Sequence, residues 1–323
     1  PGLNKADDDP LKGEKANIAI LRGFMDISEQ DRVGFLFTNR DLLDGYNRVG
    51  SIDGRFKFTD NWTTEVQVIG TESEPIQGGE KTTGYQRNFQ INHTGRTLTT
   101  HTHYIQTSND FRTELGFQGR FFRADTDGVH QRVKLDFYPE NSNINRWNTS
   151  LFSAYLKDND RAKIYSLFVP GFGIDFDTNS FKIEYSDYSE TLRPRDFAGI
   201  TSNRVYKYAR SLFRYSNSTL NTLSFELTYR NGTALNLVPR MNELPNVADT
   251  KIIELDMLWR PMDRLRVSNT YFHTELEDKN DGTDIFSNDI IRSNWNYQFS
   301  KEWSLRFIAQ YDETDAGPAS RLV

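Results

Sequence analysis

His101 and His103, two residues apart, are the pair whose type and spacing best suit chemistry in this 323-residue sequence. On a β-strand, alternate side chains point to one face, so an HxH pair offers two imidazoles to a transition metal. Sequence places no carboxylate or further histidine to complete such a site, and polar, water-facing side chains are the favoured reading. Asp278-Lys279-Asn280-Asp281-Gly282 looks like a calcium loop but falls one residue short of the EF-hand spacing. It reads as a solvated loop, and Asp125-Thr126-Asp127-Gly128 as a turn. Asp7-Asp8-Asp9-Pro10 lies in a stretch with almost nothing apolar, which reads as a linker or pre-barrel arm over residues 1–15 rather than a calcium cluster. No nucleophile elbow or linked triad is assembled anywhere, so neither enzymatic activity nor a cofactor is expected.

Strands must position all of these residues. In 291–311, Ile291, Ser293, Trp295, Tyr297 and Phe299 alternate with Arg292, Asn294, Asn296 and Gln298. After Ser300-Lys301-Glu302 the alternation resumes, with Trp303, Leu305, Phe307, Ala309 and Tyr311 on one face and Ser304, Arg306 and Gln310 on the other; Ile308 is the exception. The pattern predicts a hairpin that pairs Phe299 with Trp303, Tyr297 with Leu305, and Trp295 with Phe307. The design recurs. Phe58, Thr59-Asp60-Asn61 and Trp62 repeat the aromatic-flanked turn, and similar alternation runs through 129–137, 164–185, 205–229 and 253–267.

Composition says which medium faces the apolar side. Hydrophobic residues make up 36% of the chain counting its 15 Tyr, or about 38% with the 21 Gly counted in their place, below the roughly 45–50% of ordinary globular domains, yet aromatics reach 13%. Such a chain suits a wall with one apolar surface and a wet interior. No run approaches the ~20 apolar residues of a membrane helix, so a membrane crossing must be made by strands. The net charge of −6, with dispersed Lys and Arg, argues against a nucleic-acid partner. The absence of cysteine excludes disulfides and thiolate metal sites. The chain opens at Pro1 without a basic or apolar leader, and a signal peptide is expected to have been removed or left out.

Connections alternate in length. Short turns are expected at Thr59, Thr94, Asp177, Ser216, Arg260 and Ser300, and long links over 72–84, 189–203, 231–249 and 275–287. That segregation predicts an all-β fold: an antiparallel transmembrane β-barrel of about 16–18 strands over residues 16–323, with short periplasmic turns and long extracellular loops. The aromatics Phe58, Trp62, Trp295, Tyr297, Phe299 and Trp303 are expected in a lipid-facing girdle. Arg55, Lys57, Arg132, Lys134, Glu226, Arg230, Arg292 and Arg306 are expected to line the lumen.

The segments TNRDLLDGYNRVGSIDGRFKF (38–58), HYIQTSNDFRTELGFQGR (103–120) and IIRSNWNYQFSKEWSLRFIAQYD (290–312) resemble the barrel region of the bacterial outer-membrane family catalogued as domain of unknown function 5916. The resemblance covers most of 16–312 and is most specific in Asn109-Asp110-Phe111-Arg112 to Gly116-Phe117 and in the last hairpin. It implies an outer-membrane location, and a family-9-type carbohydrate-binding domain usually precedes the barrel; no such module is present in this sequence. Family members are sometimes labelled hydrolases, but no catalytic motif here matches. Residues 315–323 read as a loop-like tail where the family closes on an aromatic-ended strand, so a closing strand and an upstream domain are expected to be missing.

The functional expectation is therefore a porin-like or substrate-specific outer-membrane channel. The alternatives are a scaffold barrel that anchors a larger envelope assembly with its lumen plugged, and a soluble β-rich glycan-binding protein. Partners would be outer-membrane lipids and lipopolysaccharide, with envelope proteins or glycans beside them. Counting turns from the two ends of the chain disagrees by one crossing between Thr94 and Pro139. The segment TSNDFRTELG (107–116) breaks the alternation there and is expected to leave the wall as a lumen constriction, with Asp110, Arg112 and Glu114 at its centre and Arg112 bonded to wall carboxylates.

Overall fold

The computed structural model describes residues 13–116, 124–318 and 320. Among them are sixteen strands and no helix. They are β1 (Asn17–Asp26), β2 (Arg32–Leu42), β3 (Gly45–Lys57), β4 (Trp62–Glu74), β5 (Thr82–Thr94), β6 (Leu98–Thr107), β7 (Thr126–Phe137) and β8 (Arg146–Lys157), then β9 (Lys163–Asp175), β10 (Asn179–Leu192), β11 (Arg204–Leu220), β12 (Leu223–Asn236), β13 (Asn246–Met262), β14 (Leu265–Glu277), β15 (Asp284–Gln298) and β16 (Ser304–Ala316). Each strand is hydrogen-bonded to its neighbours in sequence within one sheet. The chain divides into two compact units, one built on β1 to β6 and the other on β10 to β16, with β7 to β9 shared out between them.

In the second unit the last hairpin has the expected register: Tyr297 opposes Leu305 and Trp295 opposes Phe307. The Phe299 amide donates to the Trp303 carbonyl at 3.0 Å, and the Ser300 hydroxyl accepts from the amides of Glu302 and Trp303 at 3.2 Å each. The first unit builds the same turn from different residues. The Phe58 amide donates to the Trp62 carbonyl at 3.0 Å, and the Thr59 hydroxyl accepts from Asn61 and Trp62 at 3.3 and 3.2 Å. A hydroxyl in the first turn position satisfies two amides that the sheet leaves unpaired.

Among the described residues, strict pairing of sequence neighbours leaves no crossing missing between β5 and β8; the miscount arose between β6 and β7, where the described residues 108–116 form no strand. Other boundaries also move. β11 runs through Ser216 to Leu220, so the turn falls at Asn221 and Thr222, and β13 continues past Arg260 and Pro261 to Met262 with a register shift after Trp259. The long links are shorter than expected, at 75–81, 193–203, 237–245 and 278–283, because the strands reach further into them. Asp315 and Ala316, expected in a tail, belong to β16. Asp125 alone keeps a turn conformation, at φ 60°, while Thr126, Asp127 and Gly128 open β7. β1, absent from the expected strands, pairs with β2 from Asn17↔Asp41 to Asp26↔Arg32. The acidic run Asp7-Asp8-Asp9-Pro10 lies outside the described residues.

Direct cross-strand partners share a face, so the registers define an apolar and a polar face. In the second unit the apolar face carries Leu223, Phe225 and Leu227 of β12, Trp259, Met257, Leu255 and Ile253 of β13, Leu265, Val267 and Tyr271 of β14, and Tyr297, Trp295 and Ile291 of β15. The apolar stretch begins at the short-turn end and stops partway. The next residues on the same face are Lys251, His273 and Asp289. There the Tyr271 hydroxyl and His273 bond Asp289 at 2.8 and 3.0 Å, and Lys251 bonds Glu275 at 3.1 Å. Strands of 13 to 17 residues exceed the roughly 9–11 needed to cross a bilayer, and the surplus carries this charged collar.

Candidate functional site

Residues 108–116 of the first unit form no strand. Their neck is closed by backbone bonds: the Ser108 amide donates to the Tyr85 carbonyl at 3.0 Å and the Asp125 amide to the Ser108 carbonyl at 3.1 Å. Asn159 fastens both sides of that neck. Its amide donates to Asp125 Oδ1 at 3.0 Å, and its side-chain nitrogen to the Thr107 carbonyl and Asn109 Oδ1 at 3.2 and 2.6 Å. From the neck the segment lies on the polar face of β2 to β5. Phe111 is buried, and a Cβ on Gly84 of β5 would stand 2.4 Å from its N and Cα atoms. Asn47 of β3 donates to the Arg112 carbonyl at 3.0 Å and accepts from the Glu114 amide at 3.1 Å.

The charge arrangement reverses the expectation. Glu114 pairs with Arg40 of β2, so the wall supplies the cation and the segment the carboxylate. Arg112 is held through its backbone, with its amide donating to Thr71 at 3.4 Å and its carbonyl accepting from Asn47, and pairs with no wall carboxylate among the described residues. Asp110 is exposed. Phe117 to Arg120 of the family-like block lie outside the described residues. Sequence reading missed Gly84, Asn47, Arg40 and Asn159, whose roles come from register rather than from any motif.

The expected lumen residues lie on the polar face, most of them in ion pairs along it. In the first unit Arg55 stands 3.8 Å from Glu65, Lys57 bonds Asp60 at 3.1 Å, and Arg22 pairs with Asp53. Arg132 follows His130 on this face of β7. In the second unit Lys134 bonds the buried Asp136 at 2.8 Å, Arg214 bonds Glu226 at 3.2 Å, and Arg230 reaches Glu254 at 3.5 Å. Arg306 Nε donates to Asn294 at 3.3 Å, and Arg292 is exposed opposite Gln310. A cavity of about 500 Å³ opens on this face of the second unit, among Asn179, Ser216, Glu226, Asp256, Arg266 and Thr270. The girdle candidates Trp295, Tyr297, Phe299 and Trp303 gather on the apolar side of the last hairpin, and Phe58 and Trp62 flank the β3–β4 turn.

His101 and His103 share the polar face of β6, opposite Asn92 and Gln90 of β5. The structure adds a third ring, His130 of β7, with its Nε2 3.0 Å from His101 Nε2. The sequence signal was present, an HxH on one strand and a histidine at a polar-face position of the next, but the register that joins them was not. The loop at 278–283 is held by its own carboxylates and by Arg240 of the 237–245 link. Asp278 accepts from the Asn280 amide at 2.9 Å, and Asp281 from the Thr283 amide at 2.9 Å and from Arg240 at 3.4 Å.

No protein-family model matches the sequence, and no curated protein does. Among solved structures, the alcaligin outer membrane receptor FauA from Bordetella pertussis aligns over 96% of this chain and 60% of its own length, at 10% identity and a TM-score of 0.55. The fold is that of an outer-membrane β-barrel. The barrel chain thus spans 60% of FauA's length. A loop L8 deletion mutant of OmpT, an outer membrane protein of Vibrio cholerae, aligns over 93% of this chain and 94% of its own at 14% identity and a TM-score of 0.43. For Salmonella typhi OmpF in complex with daunomycin the values are 94%, 92%, 11% and 0.44.

Proposed function

We propose that this barrel is an outer-membrane channel, of the domain-of-unknown-function 5916 type, in which residues 108–116 narrow a water-filled lumen. The observation that carries the reading is the burial of Phe111 over Gly84, which seats an unpaired segment on the polar face instead of leaving it outside the sheet. Arg55, Lys57, Arg132, Lys134, Glu226, Arg230, Arg292 and Arg306 then line the passage, and Glu114 with Arg40 marks its narrow part. Paired charges favour small polar solutes over a single sign of ion, because each fixed charge is offset by a neighbour. The apolar face meets outer-membrane lipid and lipopolysaccharide, and the charged collar lies at the level of their head groups. Transport rather than catalysis is the activity.

Conductance in planar bilayers tests the reading, with the intact chain compared with a deletion of residues 109–116. Discrete channels that grow on deletion are the expected result. A silent intact chain with a conducting deletion points to a plugged scaffold, and silence from both sinks the channel reading.

A further inference from the structure

We infer that His101, His103 and His130 form a binding site for a divalent late transition metal such as Zn²⁺, Cu²⁺ or Co²⁺ on the polar face of the barrel wall. Each histidine offers one ring nitrogen, and the three nitrogens lie within 4.8 Å of one another. Three imidazoles make the donor set that such ions prefer over Mg²⁺ or Ca²⁺, which take oxygen. They leave a fourth position for water or a passing ligand.

Ring orientation carries the argument beyond proximity. His101 Nδ1 stands 2.6 Å from Asn92 Oδ1. A carboxamide oxygen only accepts, so Nδ1 holds the proton and the Nε2 lone pair points at His130. His130 Nε2 is 3.0 Å away, close to the roughly 3.3 Å between two nitrogens bound at about 2.05 Å to one tetrahedral ion. Asn88 Oδ1 holds His103 Nε2 at 3.3 Å, and the Asn88 amide nitrogen is itself directed to Gln86 Oε1 at 3.1 Å, which fixes which end of the carboxamide faces the ring. Two of the three rings are therefore set by neighbouring amides, as metal-ligating histidines are by their outer partners. The His103 ring is buried, and it meets the His130 ring edge-on at 85° with centroids 5.0 Å apart. Arg132 and Glu65, of opposite sign, are the charged groups that act on His101, and Arg132 also acts on His130.

The full chain, refolded in detergent, stripped with EDTA and dialysed, is titrated with Co²⁺ and then Zn²⁺. One equivalent of Co²⁺ is expected to give the visible absorption of four- or five-coordinate nitrogen ligation, and one equivalent of Zn²⁺ to abolish it. His130→Gln and His103→Ala each weaken binding more than tenfold, and Asn92→Ala weakens it by a smaller factor. His93→Gln, which alters a histidine beside Trp62 on the other face, leaves binding unchanged. X-ray absorption of the unmutated Zn²⁺ form, which needs no variant to fold, is expected to show three imidazoles. No stoichiometric binding, binding indifferent to His130→Gln, or fewer than three imidazoles overturns the assignment.

Discussion

Gly84 allows residues 108–116 to lie where they do. Any side chain there meets the Phe111 backbone, because a Cβ would stand 2.4 Å from two of its atoms, and backbone does not yield as a flexible side chain does. Gly84→Val is therefore expected to push the segment off β5, with conductance rising toward that of the deletion while the barrel still migrates as a folded species in unheated gels. Unchanged conductance would separate the segment from the passage. Asp31 offers a second test at this scale. In the turn before β2 its carboxylate accepts from the Lys57 amide at 2.7 Å, and this bond, followed by one with Ser28, holds its pKa below the ordinary carboxylate range. A depressed folded-state pKa contributes stability above the unfolded value, near 3.9, and that contribution fades as pH falls through the lower folded value. Asp31→Asn is expected to lower the urea midpoint at pH 7 and to flatten its decline below about pH 4; parallel curves would deny the linkage.

At the scale of the strand, sidedness is the property on which the rest depends. A slip of one residue in β15 would exchange Ile291, Trp295 and Tyr297 for Arg292, Asn296 and Gln298 on the apolar face, and an arginine in mid-membrane costs roughly 2–4 kcal/mol. Spin labels at Tyr297 and Gln298 should show opposite accessibility to oxygen and to a water-soluble nickel quencher, and equal access would refute the assignment. This hairpin was legible because alternation, an aromatic pair and a Ser-headed turn agree within one short stretch. β1 was not. Ile18, Ile20 and Phe24 fall on the polar face and Leu21 and Met25 on the apolar one, so no alternation marks it. The β11–β12 turn was misplaced because Ser216-Asn217-Ser218 has turn composition while its backbone remains in the ladder. The segment at 108–116 announced itself by breaking the pattern. The third histidine did not, since the juxtaposition of β6 and β7, which lie apart in the sequence, is set by tertiary packing.

At the scale of the whole molecule, sixteen strands paired in sequence order bring residues distant in the chain onto one face by register alone, and likeness to FauA at 10% identity shows how little sequence the architecture requires. The short apolar stretch has a consequence for the lipid. From Phe299, just past the end of β15, to Ile291 it runs about 27 Å along the chain and, at the usual tilt of about 40°, about 21 Å along the membrane normal. That is thinner than the roughly 30 Å hydrocarbon core of an ordinary bilayer, and Lys251, His273 and Asp289 stand immediately beyond it. In a thick bilayer these polar side chains would sit among acyl chains, or the lipid would have to compress. The chain is accordingly expected to fold readily into vesicles of ten- or twelve-carbon phosphatidylcholine and poorly into those of eighteen carbons, as read by heat-modifiable migration. An equal yield in both would mean that the collar tolerates hydrocarbon. The step from Ile291 to Asp289 thus fits the protein to a thin membrane and penalises its insertion into a thicker one.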